Sequence, residues 1–135
     1  MELASVVATA CRDVAGLQAA FVFGSALRRP DPGDIDLALL WAESVSTEDR
    51  WRVGNRIAGD IEQQLRAGGW DVDLKDLRAL PLPLQYRVLQ EGHAVYVADR
   101  RAFVRFSAET VPRALDFLPF YRASLRMAAR RLAGE

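Results

Sequence analysis

The stretch FVFGSALRRPDPGDIDLALL, residues 21–40, constrains this chain more than any other. An apolar run stops at Gly24-Ser25, a polar and turn-forming segment follows, and a second apolar run opens as Asp34-Ile35-Asp36-Leu37. Two strands with a polar site at their ends are the reading this pattern supports. Successive side chains on a strand alternate faces, so Asp34 and Asp36 share one surface while Ile35, Leu37 and Leu39 line the other. Two neighbouring carboxylates repel unless a cation lies between them. Hard oxygen ligands suit magnesium, which retains positions for water and substrate phosphates, so Asp-x-Asp on a strand points to phosphoryl or nucleotidyl transfer. Gly24 lets the backbone turn sharply and lets a polyphosphate approach its N–H groups, and the Ser25 hydroxyl can hydrogen-bond a phosphate oxygen. Each half alone reads as a hairpin turn or a pair of solvated aspartates; their order and context favour the catalytic reading.

A third carboxylate comes from Trp70–Leu77, which alternates with Asp71, Asp73 and Lys75 on one side and Val72 and Leu74 on the other. Asp71 adjoins the Gly68-Gly69 turn, whereas Asp73 lies between Val72 and Leu74 and is better held. Asp76 points to the opposite face and is the weaker candidate. Lys75 can reach a phosphate from the metal side or simply balance the aspartates' charge.

These residues carry a family resemblance. Gly24-Ser25, a short Arg-containing segment and Asp34-Ile35-Asp36-Leu37 resemble the signature of the polymerase-β-like nucleotidyltransferase superfamily. Within it, the chain is similar to the minimal nucleotidyltransferases (MNT), antitoxins encoded beside HEPN-domain toxins. Val72-Asp73-Leu74-Lys75-Asp76-Leu77, Arg87–Gly92 and the helical tail extend the likeness over most of the chain. Eight residues separate Ser25 from Asp34 here, where the family commonly has about ten, a departure that implies a tighter loop. The resemblance matches the third acidic residue to Asp73. It implies AMP transfer from ATP, with Mg2+, to a tyrosine of a HEPN toxin ribonuclease. Asp34, Asp36 and Asp73 would be catalytic and metal-binding, one ion held by Asp34 and Asp36 and a second shared with Asp73. Gly24, Ser25 and Arg28 would bind the nucleotide.

The 135 residues are expected to form one domain, half hydrophobic in composition and able to bury a sizeable core. The expected fold class is α/β (α+β): a small mixed sheet backed by helices, ending in a helical tail over about residues 99–133. Eighteen basic and eighteen acidic residues cancel, so no global field draws the chain to nucleic acid or an anionic membrane. The lone Cys11 has no internal disulfide partner, and no basic leader or long apolar run marks secretion or a membrane span. A cytoplasmic location fits, and homo-oligomers are compatible with the sequence. His93, the only histidine, is left outside the site.

The remaining elements follow from periodicity and punctuation. A first helix is expected from Leu3 to about Val14, a first strand over Ala19–Phe23 and a second over Asp34–Trp41. Ala38 and Leu40 fall on the aspartate face, which implies that this strand is covered on both sides beyond the site. A helix capped by Thr47 is expected to run to about Arg66 with Trp51, Ile57, Ile61 and Leu65 on one face. Pro81 and Pro83 start a short helix through Gln90 with Leu82, Tyr86 and Leu89 inward, and a strand follows over Ala94–Val97. Asp99 caps the tail, which Pro112 and Pro119 should kink or divide. Its Phe103, Phe106, Leu115, Phe117, Phe120, Leu125 and Met127 exceed what a thin sheet can cover, so Tyr121–Leu132 is a candidate docking segment. Two other functions are compatible with these residues: an antitoxin that acts by occlusion without turnover, and a nucleotidyltransferase for a small acceptor such as an aminoglycoside.

Overall fold

The computed structural model describes residues 3–24, 33–65 and 69–134, with residues 121, 122 and 125 placed only as part of a helix. Ser25, Arg28 and Arg66 therefore lie outside the described residues. The elements run α1 (Leu3–Cys11), β1 (Leu17–Phe23), β2 (Asp34–Trp41), α2 (Thr47–Gln64), β3 (Asp71–Asp76), a 3-10 turn (Leu77–Ala79), α3 (Leu82–Glu91), β4 (His93–Val97) and α4 (Arg100–Leu132).

The strands form one mixed sheet in the order β3-β2-β1-β4. β1 is antiparallel to both β2 and β4, and β2 is parallel to β3. A parallel pair needs a long crossover, and α2 supplies it. Ser46, rather than Thr47, caps that helix: its side chain accepts a hydrogen bond from the Asp49 N–H at 3.1 Å. Both residues are good caps, and the one with extended backbone takes the role. Ile57 and Ile61 are buried and Leu65 packs against the core as expected, joined by Gly54 and Ala58, whereas Trp51, expected on the same face, is 70% exposed. Gly54 is there because α2 crosses β3 closely. A Cβ at this position would lie 2.7 Å from a Leu74 methyl.

Alternation along β2 sorts the core into two layers. Ile35, Leu37, Leu39 and Trp41 join Ala20 and Val22 of β1 against Val6, Val7 and Cys11 of α1 and Ile57 and Ile61 of α2. Ala38 and Leu40 join Ala19 and Phe21 against Leu77, Val88 of α3 and Phe106 of α4. Phe103 stands edge-on to Phe21, with ring centroids 5.2 Å apart. The second layer is the cover that Ala38 and Leu40 predict. It ends before Asp36, and that end is where the polar site lies.

α3 buries Val88 rather than Leu82 or Tyr86, which are only partly covered, and Gly92 caps it. α4 starts at Asp99, whose carboxylate accepts the Ala102 N–H at 3.0 Å. Pro112 and Pro119 do not divide it: all 33 residues form one uninterrupted helix. None of the described helices is long and apolar enough to cross a membrane.

Candidate active site

The parallel register of β2 and β3 builds the site. Asp34 lies opposite Asp71, Asp36 opposite Asp73, and Ala38 opposite Lys75. Adjacent strands are about 4.8 Å apart, so Asp36 and Asp73 stand side by side on one face. On the other side of Asp36, the antiparallel register with β1 puts Phe23 opposite it. One row across the sheet therefore reads Phe23, Asp36, Asp73.

Gly24, next in the chain after Phe23, adopts φ +81°, a conformation that L side chains rarely accept. Its bare Cα faces the Asp36 carboxylate, and an added Cβ would collide with Oδ2 of that group. Partial burial raises the Asp36 pKa above its ordinary value of 3.8, and the neighbouring Asp73 carboxylate raises it further. Lys75 opposes the rise, and the charge of Asp34 adds to it least. Two ionised carboxylates placed side by side repel unless a proton or a cation lies between them. A divalent cation between ionised groups would meet the same electrostatic need, so the donor set fits a hard metal ion.

The structure brings together Gly24, Asp36 and Asp73 of the residues singled out from sequence. Asp34 lies on the same face and exerts its charge on Asp36, but it is exposed at the strand's start. Among the described residues, no three His, Cys, Asp or Glu side chains are closed into a metal-holding group. Asp73 rather than Asp71 partners Asp36. Asp71, also exposed, instead donates its backbone N–H to the Gly33 carbonyl at 3.1 Å.

Asp76 has a different task. It pairs with Arg50 at 3.1 Å and accepts the Arg78 N–H at 3.2 Å, tying α2 to the start of the 3-10 turn. His93 begins β4 opposite Val22 and is exposed. Sequence reasoning gave Arg50 and Arg78 no role, because the partners that hold them are 26 and 37 residues away in the chain.

The model of the Polymerase beta, Nucleotidyltransferase family matches residues 7–101, from α1 through the start of α4. The chain belongs to the polymerase β nucleotidyltransferase family. No curated protein matches it. Among solved structures, a mutant MntA-HpeT toxin-antitoxin is 21% identical with a TM-score of 0.68, over 96% of this chain and 99% of that one. A toxin-antitoxin with AMP-PNP is 22% identical with a TM-score of 0.68, over 93% and 98% of the two chains. A third similar structure, from Shewanella oneidensis, is a tri-AMPylated HEPN toxin in complex with MNT antitoxin; it is 20% identical with a TM-score of 0.63, over 97% and 96%. These likenesses establish a shared polymerase-β-like nucleotidyltransferase fold that extends over nearly the whole length of each chain.

Proposed function

We propose that this nucleotidyltransferase is an MNT-type antitoxin that transfers AMP from ATP to a tyrosine of a cognate HEPN toxin, thereby neutralising it. The observation that carries the reading is the pairing of Asp36 with Asp73, two carboxylates set side by side across parallel strands, the first of them against a bare glycine. Forcing two such groups together is costly unless a cation or proton joins them. The similarity to structures of MNT antitoxin with AMPylated HEPN toxin supplies the acceptor class.

Asp34, Asp36 and Asp73 would hold Mg2+. When bound, magnesium would neutralise triphosphate charge and acidify the acceptor hydroxyl. Gly24 leaves the backbone open to the triphosphate, with Ser25 and Arg28 assigned to its oxygens. The acceptor oxygen forms a bond to the α-phosphorus as the bond from that phosphorus to the bridging oxygen of the β-phosphate breaks. Pyrophosphate leaves with the electron pair, and Asp73 takes the hydroxyl proton. Catalysis of this kind rests on positioning and charge, so removal of one carboxylate should lower the rate by about 10²-fold or more.

The test is incubation with the purified HEPN toxin, ATP and Mg2+. The toxin is expected to gain about 329 Da per AMP, the mass set by covalent nucleotidyl transfer. Asp34→Asn with Asp36→Asn should abolish both the adduct and protection. No adduct with wild type, together with neutralisation by the double variant, would establish occlusion instead.

A further inference from the structure

Lys75 is the only lysine in the chain, and it stands one row below the paired aspartates. Its register partner is Ala38, whose small side chain is fully buried beneath the second core layer. Asp73 and Lys75 share a face because they are two residues apart on β3. The Lys75 ammonium lies 3.5 Å from Oδ1 of Asp73, so the side chain reaches along the strand toward the aspartates. Its charge is felt at Asp36 as well. No other ion pair to Asp34, Asp36, Asp71 or Asp73 is formed among the described residues.

We propose that Lys75 is a positioning residue that occupies the acceptor-side cation position of the site, so that this chain needs one divalent cation where a paired-metal site needs two. The inference rests on the nucleotidyltransferase reading above. A second divalent ion bound to Asp73 would compete with the ammonium already beside that carboxylate, and like charges sharing one carboxylate repel. The ammonium supplies positive charge at the carboxylate that faces the acceptor, and its three N–H donors can turn from Asp73 to an α-phosphate oxygen without changing its charge. The pair is suited to such a handover. Both side chains are about half exposed, at 42% and 51%, and ion pairs of this exposure hold their partners weakly.

Manganese binding provides a readout that does not depend on turnover. The full-length chain would be titrated with Mn2+ in the presence of α,β-methylene ATP, with bound ion counted by electron paramagnetic resonance. Wild type is expected to bind one Mn2+ per protein–nucleotide complex in the micromolar range. Lys75→Met should acquire a second site at least tenfold tighter than any second site of wild type, and Lys75→Arg should restore the single-ion stoichiometry. Two tight ions in wild type, or one ion with unchanged affinity in all three proteins, would overturn the proposal. Absence of any Mn2+-dependent nucleotide binding in wild type would overturn the underlying nucleotidyltransferase reading as well. Circular dichroism of Lys75→Met should match wild type, because the side chain is about two-fifths exposed and methionine keeps most of its length. In AMP transfer, the variant should shift half-saturation by Mg2+ upward about tenfold more than it shifts that by ATP.

Discussion

Gly24 and Asp36 are packed so closely that a methyl group on the glycine would strike the aspartate's carboxylate. The positive φ of Gly24 adds a second objection to any side chain there, of about 1–2 kcal/mol. Gly24→Ala should therefore push Asp36 off Asp73 rather than unfold the sheet. AMP transfer should fall about 10²-fold, while far-ultraviolet circular dichroism stays unchanged. A wild-type transfer rate would mean that the carboxylate is free to yield.

Asp36 is also expected to reveal itself through stability. Its pKa is raised in the folded chain by burial and then by Asp73. A raised carboxyl contributes stability that is fully present below the unfolded pKa, about 3.9, and lost as pH rises through the folded value. At neutral pH without metal, the ionised group is thus a liability. Asp36→Asn should melt above wild type at pH 7.5 in EDTA, and the difference should vanish as the pH falls toward 4. Mg2+ should raise the Tm of wild type but not of the variant. Thermal melts across this pH range, with and without Mg2+, measure all three effects.

Arg78 holds the opposite end of β2. Its Nε donates to the Trp41 carbonyl at 2.7 Å, Nη1 reaches Glu43 at 3.3 Å and Nη2 reaches Gln18 at 3.3 Å. The guanidinium also lies 5.3 Å from the centre of the Phe106 ring. Arg78→Ala leaves a strand-end carbonyl without its donor and removes the cation over the ring. A cost of about 2–3 kcal/mol is expected, read as a lower midpoint in urea. Lys should rescue little, since one ammonium cannot span the fork.

Cys11 tests the packing of α1 on the sheet. It is fully buried, and burial pushes its thiol from 9.0 up to about 12. The stability linked to this thiol is complete below the unfolded value and lost as pH rises through about 12. At pH 8 the native chain should be inert to a thiol-specific disulfide reagent and react stoichiometrically once unfolded in guanidinium. Cys11→Ser should destabilise by about 1–3 kcal/mol if the hydroxyl finds no partner.

What could be read in advance was what short-range pattern determines. The apolar run after Asp34 marked β2 at both ends, and the breaks in its alternation at Ala38 and Leu40 identified the two-sided cover. Adjacency to hydrophobic neighbours separated Asp73 from Asp71 in the sequence; the parallel register puts Asp73 opposite Asp36 and Asp71 opposite Asp34. Interactions set by the tertiary fold were not legible. Whether Ser46 or Thr47 caps α2 depends on backbone angles. Trp51 was grouped with Ile57, Ile61 and Leu65 by spacing, but the close approach of α2 to Leu74 puts Gly54, not Trp51, at the buried first half of that face. Pro112 and Pro119 sit within a helix that continues past them, where local propensity argued for a break. Ser25 and Arg28, assigned to the nucleotide, lie outside the described residues.

The tail supplies the remaining prediction. The second half of α4 exposes Leu115 at 52%, Phe120 at 74%, Met127 at 54% and Leu132 at 91%. Phe120 and Met127 are seven residues apart, about two helical turns, so they share one side of the helix. An aromatic ring left three-quarters in water contributes little to the fold but can anchor an interface. If this side seats the HEPN toxin, Phe120→Asp should weaken the complex by about 2 kcal/mol, close to 30-fold in Kd. Stability should change by no more than about 0.5 kcal/mol, as for other exposed substitutions. ATP affinity should be unchanged, because the row from Phe23 to Asp73 lies on the sheet and Phe120 lies beyond the part of α4 that packs there. Calorimetric titration of the toxin into wild type and variant separates these terms. An unaltered Kd would assign toxin docking to another face and leave the apolar side of α4 without that role.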